Sequence, residues 1–190
     1  MIIGITGSAR SGKDTAAKFL SETYNYDIKS FAAPIRLFVS NLIGINDPNI
    51  FDSIKDKPNI LLSNKTPRYA MQTLGTEWGR KMISDTIWID TCLSNCKNTI
   101  ISDVRFDNEA KAILEKGGII IRIVRPNINI SENTHISEKG ISEKYINDTI
   151  ENNTDINYSF SSIWLILHNE WFYRNLEVRK ASSPQACRPN

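Results

Sequence analysis

Apolar residues recur along this chain with two different periods, and the alternation between them outlines the fold. Met1-Ile2-Ile3-Gly4-Ile5-Thr6 is a short continuous apolar run, the pattern of a strand buried on both faces. Past a glycine-bracketed loop, Ala16, Phe19, Leu20 and Tyr24 fall at helical spacing and predict a helix over about 12–24. Asp27 to Ala32 predicts a second short strand. Pro34 then suits the first turn of another helix, with Ile35, Leu37, Phe38 and Leu42 as its apolar positions. From Gly44 to Lys65 the pattern dissolves into Asn-, Asp- and Pro-rich loop, where no element is assigned. Thr66-Pro67 has the form of an N-cap followed by proline at the first helical position. Met71, Leu74, Gly75, Trp78 and Met82 continue it at helical spacing.

Asn98 to Asp103 predicts an inner strand with a carboxylate at its carboxyl end. Phe106 to Lys116 predicts a helix stopped by Gly117-Gly118. Ile119 to Val124, rich in β-branched residues, is the clearest strand. The polar stretch 127–144 suits a mobile lid, and Ile163, Trp164, Leu167 and Trp171 mark a last helix over about Phe160 to Phe172. Residues 181–190 are small, polar and proline-containing, the composition of a disordered tail. Strands alternating with helices predict an α/β domain with a parallel sheet.

The loop after the first strand is Gly7-Ser8-Ala9-Arg10-Ser11-Gly12-Lys13-Asp14-Thr15. Strand, glycine-bracketed loop and helix start are the layout of a phosphate-binding P-loop. Loop amides and a helix N-terminus turn their N–H groups into one concavity, which suits a polyphosphate. Lys13 adds a charge that can follow the β- and γ-phosphates. After the lysine the usual Ser or Thr is replaced by Asp14, and the hydroxyl comes one residue later at Thr15. In the usual loop that hydroxyl binds magnesium.

Length and composition narrow the options. A chain of 190 residues, 41% hydrophobic and 23% charged, fits one soluble domain, with or without a small mobile insert. A net charge of +2, without a basic stripe interleaved with aromatics, argues against a long nucleic-acid partner but not against a small anionic substrate. Cys92, Cys96 and Cys187 lack metal-ligand spacing and predict reduced thiols in a cytoplasmic compartment. No stretch has the apolar length for a membrane span or a signal peptide.

A second constellation, Asp103-Val104-Arg105-Phe106-Asp107-Asn108-Glu109, follows an apolar strand and so belongs at the carboxyl edge of the sheet. From there Asp103 can approach the P-loop, holding magnesium through water or positioning an acceptor. Arg105 can neutralise a phosphate, and Glu109 can reach back to Arg105 or to a substrate hydroxyl. The plain alternative is a surface Asp–Arg pair with a helix-capping acid. Arg68 and Arg80 bracket one helix and are equally suited to a substrate phosphate or to solvent, as are Arg122 and Arg125 to ATP or to solvent. Trp88 reads first as a core aromatic and His135 as a loop residue.

Four blocks, in order, carry a resemblance: GSARSGKDT (Gly7–Thr15), SFAAPIR (Ser30–Arg36), RYAMQTLGTEWGR (Arg68–Arg80) and SDVRFDNEA (Ser102–Ala110), with a fainter HISE at His135–Glu138. They resemble the deoxynucleoside monophosphate kinases of bacteriophages and other viruses. The resemblance implies a three-layer α/β P-loop kinase fold over 1–178, with a parallel central sheet, helices on both faces and a mobile lid at about 126–146. It leaves 179–190 as a tail.

The implied reaction moves the γ-phosphoryl of Mg-ATP to deoxynucleoside monophosphates for DNA precursor synthesis, in the cytoplasm, with no membrane or long nucleic acid involved and with a homodimer possible. The implied ATP contacts are Gly7, Arg10, Ser11, Gly12, Lys13, Asp14 and Thr15, with Arg122 and Arg125. Arg68, Gly75, Trp88, Asp103, Arg105 and Glu109 would face the acceptor. Asp14, Thr15 and Asp103 would serve magnesium, and Lys13, Asp14, Asp103 and Arg105 catalysis. A kinase for another small acceptor, such as dephospho-coenzyme A, and an ATP-binding switch are the rival expectations.

Overall fold

The computed structural model describes residues 1–126 and 140–152. Five strands form one all-parallel sheet: β1 (Ile2–Thr6), β2 (Asp27–Lys29), β3 (Thr99–Ile101), β4 (Ile119–Val124) and β5 (Asp148–Glu151), in the order β2-β3-β1-β4-β5. β1 lies at the centre and is buried along its whole length. Its alternating side chains feed two separate cores. Ile3 and Ile5 join Ala16, Ala17 and Leu20 of α1 (Lys13–Tyr24), while Ile2 joins Ala110 and Ile113 of α6 (Asp107–Glu115). Helices therefore cover both faces, and the sheet sits between them as a middle layer.

The remaining helices gather over the α6 face. They are α2 (Ala33–Leu42), α3 (Pro48–Ile54), α4 (Pro67–Thr73), a π-helical continuation of α4 over Leu74–Ile83, and α5 (Ile87–Leu93). The caps follow the sequence chemistry: the Thr66 hydroxyl accepts from the Tyr69 N–H ahead of Pro67, and the Asp47 carboxylate accepts from the Asn49 and Ile50 N–H groups ahead of α3. Among the described residues, no helix is long and apolar enough to cross a membrane.

Several expectations need correction. The second strand ends at Lys29, because Ser30, Phe31 and Ala32 turn to meet Asp103. On α2 the buried positions are Ile35 and Val39, whereas Leu37 is 62% exposed, with Phe38 and Leu42 exposed beside it. The 44–65 stretch is not all loop. It holds α3, whose Phe51 closes a small core with Val39 and Ile43, and a 3-10 turn at Ile60–Leu62. Met82 is 74% exposed, and Trp78 is exposed as well, because the π-helical widening from Leu74 breaks the 3.6-residue register.

The expected lid at 126–146 lies mostly outside the described residues. Its last part, 140–146, is anchored: Ile141 is buried in the α6-side core, and Ser142 donates its N–H and hydroxyl to Asp107. His135, the helix expected over 160–172 and the 179–190 tail also lie outside the described residues.

Candidate active site

At the carboxyl end of β1 the chain takes the turn that the glycines allow. Gly7 has φ 141°, and a Cβ there would stand 2.2 Å from the Ile123 carbonyl oxygen of β4, so only glycine lets the loop pass this close to the sheet. Arg10 and Gly12 are left-handed, with φ 64° and 101°, and α1 begins at Lys13 without a side-chain cap. The first-turn N–H groups of α1 therefore open onto the loop instead of onto a cap. Lys13 curls back over it, donating to the Gly7 and Ser8 carbonyls at 2.7 and 2.5 Å. Asn152, just past β5, donates its side-chain amide to the Ser11 carbonyl at 2.8 Å. The Ser11 hydroxyl is fully buried and has no hydrogen-bond partner among the described residues. A buried hydroxyl left without a partner is costly, and it marks this loop as shaped for something else to complete it.

At the carboxyl end of β3, the strand next to β1, the α6-side helices enclose a cleft of about 690 Å³, counting its open mouth. Arg68, Gly75, Trp88, Asp103, Arg105 and Glu109 all line it, although they are spread over 42 positions of sequence. Phe31, Ala32, Ile35, Met71, Gln72, Thr76, Arg80 and Phe106 complete the wall. The sequence signal for Gln72 and Thr76 was available, since they occupy the same helical blocks as Arg68 and Gly75.

Asp103, Arg68, Glu109 and Arg80 of the wall have defined settings. The Asp103 carboxylate accepts from the Phe31 N–H (2.8 Å), the Ala32 N–H (3.0 Å) and the Ser30 hydroxyl (2.7 Å). It stitches the β2–α2 turn to the end of β3. Arg68 forms a two-pronged pair with Asp56, which holds the Asp56 carboxyl below the usual carboxylate range, with Arg10 of the loop contributing from further away.

Glu109 is 3% exposed at its side chain and faces Arg80, 10% exposed, at 2.5 Å. Its other oxygen accepts from the N–H groups of Arg105 (2.7 Å) and Phe106 (3.1 Å). Burial pushes the Glu109 carboxyl up to about 7, against the pull of those donors and of Arg80. The Trp88 indole N–H donates to the Gly75 carbonyl at 2.9 Å, and the ring packs so tightly on Gly79 that a Cβ there would stand 2.5 Å away. Trp88 therefore both belongs to the core and walls the cleft.

Two further arginines were expected at ATP. Arg122 turns its guanidinium to Glu143 and the Ile141 carbonyl, and Arg125 is exposed past the end of β4.

A magnesium ion has no cage here: no group of three or more acidic, His or Cys side chains gathers among the described residues. The donor set fits an ion carried mainly by phosphates, with one or two protein oxygens added. Asp14 and Thr15, exposed in the first turn of α1, are so placed. Asp103 stands at the end of β3 with both its oxygens accepting hydrogen bonds from the β2–α2 turn.

Comparison with known proteins agrees with this arrangement. Residues 44–163 match the family model for deoxynucleotide monophosphate kinase. A putative deoxynucleotide monophosphate kinase of Acanthamoeba polyphaga mimivirus is 33% identical over 184 residues, covering 86% of this chain and 94% of that protein. The deoxynucleoside-5'-monophosphate kinase of Escherichia phage T5 is 24% identical, covering 82% and 90%. Among solved structures, the shikimate kinase of Aquifex aeolicus superposes with a TM-score of 0.50 at 16% identity, over 88% of this chain and 96% of that one, a likeness of fold. A family model matched over more than half of the chain and a relative 33% identical along most of it converge: this chain is a kinase and belongs to the deoxynucleotide monophosphate kinase family.

Proposed function

We propose that this kinase transfers the γ-phosphoryl of ATP to a deoxynucleoside 5′-monophosphate, releasing ADP and the diphosphate. The observation that carries this reading is the cleft, where the acceptor-site residues implied by the family resemblance share one wall, with Asp103 and Arg105 flanking Val104, whose N–H donates to Ile5 near the end of β1 that leads into the P-loop. An acceptor phosphate oxygen forms the new bond to the γ-phosphorus, and the bond to the β-phosphate oxygen breaks. The acceptor phosphate is already ionised at neutral pH, so the site needs position and positive charge more than a base.

The loop N–H groups and the Ser11 hydroxyl would take the donor phosphates. Lys13 would exchange the Gly7 and Ser8 carbonyls for phosphate oxygens, and Arg10 would stand at the loop's outer edge. Magnesium, when bound with ATP, supplies charge neutralisation, and Asp14 and Thr15 would hold it. Arg68 and Arg105 would pair with the acceptor phosphate, while Gln72 and Thr76 present neutral hydrogen-bonding groups to the nucleoside. Trp88 and Gly75 shape the wall that the nucleoside rests on. Asp103 acts through the β2–α2 turn, keeping Phe31 and Ala32 in place. The product would feed DNA synthesis in the host cytoplasm.

The test is ADP release from Mg-ATP with dAMP, dGMP, dCMP, dTMP, AMP, GMP and dephospho-coenzyme A supplied separately. Stimulation by one or more deoxynucleotides, with weak response to AMP and GMP, is expected. Stimulation by dephospho-coenzyme A alone, or ADP release indifferent to every acceptor, would overturn the reading.

A further inference from the structure

We propose that Arg80 is a positioning residue for the reaction: gripped between the Phe106 ring and the Glu109 carboxylate, it fixes the turn that carries Arg105 into the acceptor cleft. The inference rests on the reaction proposed above and adds a residue to it. Arg80 comes from the π-helical segment, 25 positions before Arg105. Its guanidinium carbon lies 4.1 Å from the centroid of the Phe106 ring, close enough for a cation–π stack. One nitrogen donates to Glu109 at 2.5 Å, and another to the Asp85 carbonyl at 3.2 Å. Glu109 in turn accepts from the backbone N–H groups of Arg105 and Phe106.

The chain of contacts therefore runs from a helix to the backbone of the residue meant to meet the transferring phosphoryl. A planar, always-charged guanidinium is the side chain that can stack and fork at once. Without it, the buried Glu109 carboxyl loses its Arg80 contact and the Phe106 ring loses its guanidinium stack, so the 103–106 turn is no longer tied to the helix. A displacement of about 1 Å in a reacting group costs roughly 10²-fold in rate. Arg80 itself need not touch the acceptor.

The experiment is a double-mutant cycle on the full chain with Mg-ATP and the best acceptor, using Arg80→Met, Glu109→Gln and both together, with thermal unfolding of each. Arg80→Met is expected to lower kcat about 10²-fold and leave the KM for ATP within about twofold. Adding Glu109→Gln should cost less than about threefold more, since residues acting as one unit are not additive.

A folded Arg80→Met enzyme with kcat within about threefold of the wild type would overturn the proposal. So would losses that multiply, which would mean that Arg80 works on the substrate independently of Glu109. If Arg80→Met does not fold, Arg80→Lys decides. It keeps the charge beside Glu109 but not the planar stack, so a folded enzyme with kcat lowered about tenfold is expected, and wild-type kcat would refute the proposal. A wild-type protein without acceptor-dependent turnover would overturn the reaction itself, an outcome distinct from any difference between variants.

Discussion

Asp103→Asn separates two jobs for one carboxylate. By its place at a strand end beside a P-loop, Asp103 suits a magnesium site; by its contacts it holds the β2–α2 turn. One oxygen accepts from the Phe31 N–H at 2.8 Å; the other accepts from the Ala32 N–H at 3.0 Å and the Ser30 hydroxyl at 2.7 Å. Asparagine retains a single carbonyl oxygen. Its amide then faces one of the two backbone donors, and the bond that survives loses its charge assistance. Hydrogen bonds to charged groups contribute about 1.5–3 kcal/mol each, so a loss of about 2–3 kcal/mol is expected. In a chain of this size that lowers Tm by about 4–12 °C. Urea denaturation and thermal unfolding of the ligand-free protein measure it. A variant that unfolds at the wild-type midpoint, yet needs severalfold more magnesium for turnover, would refute the structural role and return Asp103 to the metal.

Two further outcomes follow from the site. Arg105→Ala should lower turnover by roughly 10³-fold or more, the range for arginines at phosphoryl-transfer transition states; a loss below about tenfold in a folded variant, by circular dichroism, would remove Arg105 from the mechanism. Glu109 binds its proton more tightly in the fold, where burial raises it to about 7, than in the unfolded chain. Its stabilising share is therefore complete below about pH 4.5 and is lost as pH rises through about 7. Denaturation midpoints across pH 4–8 should fall over that window in the wild type and stay flatter in Glu109→Gln, and identical slopes in both would contradict this setting for the carboxyl.

Much of the fold was legible because the pattern and the packing agree. β1, β4, the P-loop glycines and the Thr66 cap each announce themselves locally. The packing of α2 was harder to read. α2 exposes Leu37, Phe38 and Leu42, all strong apolar signals, and buries Ile35 and Val39, because the choice of face depends on α4 and α3, which are remote in sequence. The π-helical turn over Leu74–Ile83 shifts every later position off the 3.6 register, so Met82 reads as core and lies outside.

The acceptor-site residues could be named from sequence blocks, but not their partners. Nothing local to Asp103 reveals that Ser30, Phe31 and Ala32 converge on it, and nothing near Arg80 reveals Phe106 and Glu109. Those pairings come from the crossing of β3 and the helices over the sheet. The Cys92 thiol gives a similar lesson: its spacing to Cys96 suits one helix face, and the fold buries it and pushes it up to about 12, which fits a core thiol and not a reactive one.

The central claim is that the cleft beside the P-loop holds the acceptor while the loop holds the donor. The most direct measurement follows the label from γ-³²P-ATP, with magnesium and each deoxynucleoside monophosphate in turn, and separates the products by chromatography. Label in the β-phosphate of a deoxynucleoside diphosphate, lost when Lys13 is replaced by Met, is the expected result. Label released only as inorganic phosphate, at one rate whatever the acceptor, would contradict the account.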